Sequence, residues 1–216
     1  MGEWYVRHTP RRTGTTVAVL TVTALTALTV PLLASCNSGR TVPGHAALAV
    51  ETEAGVTVGA TDDPLQQALA QKYGNALSEA GRTVTGATVA AGDRIRQLRD
   101  GELTVATGCV GELLDTLDAA KGRELRGLYR EARDAGDADS DTWRDITHST
   151  MLSALPTDLQ ATDPGMAVAC GDDSLPQNTV ALYRKPTMDR KDRKALNDVA
   201  GGVSTRDLYA AAEQDG

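Results

Sequence analysis

A cysteine pair, a histidine set between hydroxyls and several acidic clusters are the residues here whose types could do chemistry. Cys109 follows Gly108, and Cys170 precedes Gly171. In an oxidising compartment two such thiols are expected to pair as a disulfide, with two separate buried thiols as the alternative. His8, His45 and His148 do not cluster with them in sequence, so no metal site is expected. His148 lies between Thr147 and Ser149. Neighbours on a helix point apart, so it reads as a satisfied surface or core histidine rather than a base beside a nucleophile. The groups Asp139/Asp141 and Asp172/Asp173 lack EF-hand spacing and read as solvated loops. Gly108-Cys109-Val110-Gly111 is too short for a phosphate cradle. No G-x-S-x-G elbow, P-loop or H-E-x-x-H motif occurs. A binding role without cofactor or metal is expected, not an enzyme.

The remaining cysteine, Cys36, belongs to a different pattern. Residues 1–16 are polar and basic, and residues 17–33 are apolar apart from scattered threonines. The run ends Leu33-Ala34-Ser35-Cys36. Basic, apolar, then small residues is the layout of an export signal. The last four resemble a lipobox, whose cysteine receives diacylglycerol and becomes the new N-terminus. A retained membrane helix is the alternative, but that needs about 20 predominantly apolar residues. Residues 1–35 are thus expected to be a lipoprotein signal peptide. The membrane would be held through lipid on Cys36, and residues 37–50 would act as part of a Gly/Pro/Ser-containing tether over 36–50. The location implied is the extracytoplasmic face of the cell membrane. Arg11-Arg12 is a weak cue for twin-arginine export, because TGTT follows it.

Charge narrows the partners. The 216 residues carry −7; the leader holds Arg7, Arg11, Arg12 and Glu3, net +2, leaving −9 on the rest. An acidic body disfavours nucleic acid, which needs clustered cations. Phe is absent, and beyond the leader the aromatics are Tyr73, Tyr129, Trp143, Tyr183 and Tyr209, so Leu, Val, Ala and Ile must build the core.

The elements that would position these residues follow from pattern. The stretch 55–60 predicts a strand, and Asp62-Asp63-Pro64 opens a helix with Leu65, Leu69, Tyr73, Leu77 inward and Gly81 as its stop. Strands are predicted over 83–89 and 103–107, separated by a helix over 93–100 that Gly101 ends. Strand–helix alternation predicts an α/β fold with a parallel-type sheet. One long helix, or two broken at Gly122, follows Gly111. Another helix follows a Ser140/Asp141 cap, and 160–178 reads as irregular. A return strand over 178–184, a helix over 189–200 and a last helix opened by Ser204 and Asp207 complete the chain.

Three stretches resemble the substrate-binding lipoproteins of glycine betaine/choline-type ABC importers. Val58 to Gln66 is similar to the family's V-G-S-K-x-F-T-E-Q strand–helix start. Leu98 to Gly111 is similar to its L-x-x-G-E-x-D-L-Y-P-E-Y-T-G segment, and Leu175 to Pro186, with Ala195 to Leu208, to its return strand and closing helices. The resemblance implies a single reduced lobe of a periplasmic-binding-protein-like fold. Residues 51–118 would form the first-lobe segment, 119–174 a helical and loop insert replacing the second lobe, and 175–216 the return strand and C-terminal helices. It also implies a cleft at the carboxyl ends of the strands, near Ala60, Thr61, Asp62, Thr107, Gly108 and Cys109. The departures are chemical. Ala106 and Cys109 stand where the family has cage tyrosines, and Thr61 and Asp63 where it has Lys and Phe. A desolvated cation–π contact is worth about 2 kcal/mol, so tight betaine binding is expected to be lost. The expectation is a solute-binding lipoprotein with an altered or lost ligand site, serving an importer permease. The alternative is a non-transport surface lipoprotein that docks another envelope protein.

Overall fold

The computed structural model describes residues 55–215. Residues 1–54, with the leader, Cys36 and the tether, lie outside the described residues. Among the described residues, five strands form one sheet: β1 (Val56–Ala60), β2 (Val84–Thr88), β3 (Val105–Cys109), β4 (Leu159–Ala161) and β5 (Thr179–Arg184), in the order β2-β1-β3-β5-β4. Seven α-helices accompany them: α1 (Pro64–Glu79), α2 (Arg94–Asp100), α3 (Val110–Leu117), α4 (Ala119–Ala135), α5 (Ser140–Ala154), α6 (Arg190–Gly202) and α7 (Thr205–Asp215).

The sheet is mixed, which corrects the expectation of a parallel-type sheet. β1 pairs in parallel with β2 and β3, but β5 runs antiparallel to both β3 and β4. Strand periodicity carries no direction. Here the chain passes through α4, α5 and β4 before β5 enters beside β3, in register from Val105↔Tyr183 to Cys109↔Thr179. β4 lies at the start of the stretch expected to be irregular.

Helices cover both faces, and strand alternation divides the core between them. Val105, Cys109, Ala181 and Tyr183 pack with Leu69, Tyr73 and Leu77 of α1 and Leu196 of α6. Ala106, Val180 and Leu182 point the other way, to Leu113 and Leu114 of α3 and Met151 of α5. The result is a helix–sheet–helix α/β sandwich in which both central strands are buried.

Local chemistry explains the helix ends. Asp63 caps α1, Gly81 takes φ 98° just after it, and Gly101 takes φ 83° after α2. Ser204 and Asp207 close a reciprocal box at α7: the Ser204 N–H donates to Asp207 Oδ2 at 3.0 Å, and the Asp207 N–H to Ser204 Oγ at 3.3 Å. Three boundaries differ from expectation. The break after α3 is at Asp118, whose carboxylate accepts from the N–H groups of Ala120 and Lys121, not at Gly122. α5 is capped by Asp139 rather than by Ser140/Asp141. β3 also begins two residues late, because the Leu103 N–H still closes the end of α2 on Gln97. Gly108 and Cys109 are therefore strand residues, not turn residues.

Candidate functional site

Parallel β1 and β3 end side by side, and each hands over to a helix. α1 starts from the Asp63 cap and α3 directly from Cys109. The loop 169–178 returns across these ends. Cys170 on it is bonded to Cys109, with Cα atoms 6.3 Å apart across 61 residues, as expected from sequence.

Between these parts lies a cavity of about 290 Å³, lined by Thr61, Asp63, Gln66, Glu112, Cys170 and Gln177 among others. Its position, beyond the carboxyl ends of adjacent strands, is where open α/β sheets bind ligands. Gln66 is 2% exposed. Its Nε2 lies 3.4 Å from Cys109 Sγ and 3.3 Å from Cys170 Sγ, and donates to the Ala169 carbonyl at 3.4 Å. Its Oε1 is buried without a hydrogen-bond partner. Gln177 Oε1 accepts from the Glu112 N–H at 3.1 Å and fixes the opposite wall.

Behind this wall lies a buried charge. Arg94 is fully buried and spreads its donors over the Ala91 carbonyl at 3.1 Å, the Thr107 carbonyl at 2.7 Å, and the Glu112 carboxylate. Glu112 Oε2 is also 3.4 Å from Cys170 Sγ. Arg126 holds Asp115 through a forked ion pair, reaches Asp172 at 3.5 Å and donates to Ser174 Oγ at 2.7 Å.

Of the residues expected to line the site, Thr61 lines the cavity, and Cys109 is buried behind it, bonded to the lining residue Cys170. Asp62 is exposed beside it, and Ala60 and Thr107 are buried in the sandwich. Gly108 has a packing role: a Cβ there would meet Arg94 Nη1 at 2.9 Å and Leu113 Cδ1 at 2.7 Å. Its bare backbone lets the guanidinium lie across β3. Gln66, Glu112 and Gln177 escape sequence reasoning, since they meet only through the fold. Asp172, read as a solvated loop residue, also lines the cavity.

His148 sits elsewhere, in the wall of a pocket of about 480 Å³ beside β4. It is buried, and its Nε2 lies 3.0 Å from the Thr162 carbonyl, so the neutral ring donates there. Burial holds its imidazole below the ordinary value, against the opposing pull of that hydrogen bond and of Asp163 and Asp145. The unfolded chain binds this proton first, near pH 6.5. The stability tied to a neutral His148 is therefore intact above about pH 6.5 and lost as pH falls from there towards the lower folded value. His148→Gln should flatten the fall in melting temperature between about pH 7 and pH 5, read by thermal denaturation.

No family model, no curated protein and no solved structure matches the chain.

Proposed function

We propose that this chain is a membrane-anchored, extracytoplasmic solute-binding lipoprotein. We place it with the substrate-binding proteins of glycine betaine/choline-type ABC importers, with an altered ligand site. The observation that carries this reading is the 290 Å³ cavity at the carboxyl ends of β1 and β3, walled by two glutamines whose side chains are 2% and 4% exposed. Small-solute sites are concave and hold a few fixed polar groups, and this volume is at the small end of their range. The leader, Leu33-Ala34-Ser35-Cys36 and the three resembling stretches support the same reading. The expected partners are the membrane through Cys36, a small solute, and an importer permease.

A thermal-shift screen of the purified protein against amines, amino acids and organic anions tests it. A specific solute raises the melting temperature by mass action. If none does so at millimolar concentration, the solute-binding reading is wrong. The anchor is tested separately. Cys36→Ser is expected to move the protein from the membrane fraction to the soluble fraction of its native-type host, and a variant retained like the parent would refute lipidation.

A second reading is a module that docks another envelope protein. It is favoured by Leu128, 50% exposed beside a groove between α4 and α5 that Lys121, Leu125 and Ser149 also line.

A further inference from the structure

The geometry points to a ligand class for the cavity: a small protonated amine that presents N–H donors. This inference rests on the solute-binding reading and goes beyond it.

Most of the backbone donors that would hold an anion are already used. Two helices begin at the cavity, and helix starts ordinarily offer free N–H groups. At α1, Pro64 has no N–H, and those of Leu65 and Gln66 donate to Asp63 Oδ1 at 2.9 and 3.1 Å. At α3, the Val110 N–H donates to the Asn178 carbonyl at 3.0 Å and the Glu112 N–H to Gln177. Among the described residues, no Lys, Arg or His lines the cavity. The nearby guanidinium groups of Arg94 and Arg126 are held by Glu112, Asp115 and Asp172.

The acceptors, by contrast, are spare. Gln66 Oε1 is buried and unpartnered, an arrangement that leaves a polar atom desolvated with nothing gained. Asp63 uses only Oδ1 for its cap; among the described residues its Oδ2 accepts nothing and its carboxylate has no ion pair. The carboxylates of Asp115, Glu112 and Asp172 also line the cavity but are already paired with Arg126 and Arg94. An ammonium group there would pair with the Asp63 carboxylate, and a turn of the Gln66 side chain would bring its buried amide oxygen to it, in charge-assisted hydrogen bonds. A quaternary ammonium fits poorly. It has no N–H for Gln66, and among the described residues no aromatic side chain lines the cavity to receive it by its ring face.

The test is calorimetric titration of the whole protein with propylammonium, putrescine and agmatine, beside tetramethylammonium and acetate as controls. At least one of the amines is expected to bind, with the controls at least about tenfold weaker. Asp63→Asn keeps the cap, since Asn caps as well as Asp, and should weaken the amine about tenfold. Gln66→Met keeps the volume and removes the acceptor, and should also weaken it; unchanged melting temperatures of the unliganded variants separate this from misfolding. Tighter binding of acetate or tetramethylammonium would overturn the amine assignment while leaving a solute site intact. Amine binding untouched by both substitutions would move the ligand elsewhere and overturn it equally. No binding by any probe, together with no hit in the wider screen, would remove the solute-binding reading as well.

Discussion

Replacing Cys109 and Cys170 together by alanine should lower unfolding free energy by about 4 kcal/mol. The bridge spans 61 residues, and the chain-entropy treatment assigns a loop of that length roughly this value. Small domains are stable by only about 5–15 kcal/mol, so the loss is a large part of the total. The bridge also has a specific structural task. The intervening chain holds α3, α4, α5 and β4, and the bridge ties its far end to the strand where it began. Without the bridge, the 169–173 loop would keep mainly polar contacts: the Gln66 hydrogen bond to the Ala169 carbonyl, the Arg126 ion pair with Asp172 and the Arg133 hydrogen bond to the Asp173 carbonyl. Urea denaturation of parent and double variant checks the magnitude, since the midpoint falls in proportion to the lost stability at constant slope. A difference below about 1 kcal/mol would mean that the reduced chain is already confined there, and that the entropic account fails for this loop. Hydrogen exchange should show the Cys170 segment opening faster than the strands of the sheet.

The reach of sequence reasoning here follows the range of the interactions. Asp63-Pro64, Gly101 and the Ser204/Asp207 box act within a few residues, so the ends of α1, α2 and α7 are readable from the sequence alone. The Asp118 cap is equally local. It escapes because Leu113, Leu114 and Leu117 join smoothly in spacing to Leu125 and Leu128, and periodicity outweighs one aspartate. The cysteine pairing is readable because Cys36 has its own motif and leaves one pair. Strand direction is not readable: Thr179 to Arg184 alternates between two buried faces whichever way it runs. The cavity wall is the least readable part. Gln66 meets Ala169 across 103 residues and Glu112 meets Gln177 across 65. A glutamine in the first turn of a helix looks solvent-facing until a loop folds over it. Gly108 was expected to face a ligand, yet its lack of a side chain serves Arg94, which comes from a different helix.

Arg94 sets the other large effect. Glu112→Gln should destabilise the protein by about 3 kcal/mol, because it leaves a fully buried guanidinium without its counter-charge. This is the low end of the range for broken buried pairs, since the Glu112 side chain is 30% exposed and water can partly replace it. The partner substitution acts differently. Arg94→Met removes the charge itself, and its main cost is the buried Thr107 carbonyl losing its donor, about 1–3 kcal/mol. Once Arg94 is gone, the Glu112 carboxylate is a half-buried group open to solvent. Neutralising it then costs less than about 1 kcal/mol. The double variant should therefore be about 2 kcal/mol more stable than the sum of the single losses implies. That coupling is the signature of a direct interaction between contacting residues. A double-mutant cycle in urea measures it. Strict additivity would mean that Arg94 is held by its two carbonyls alone, and that Glu112 is placed by Gln177 and Cys170 rather than by the guanidinium behind it.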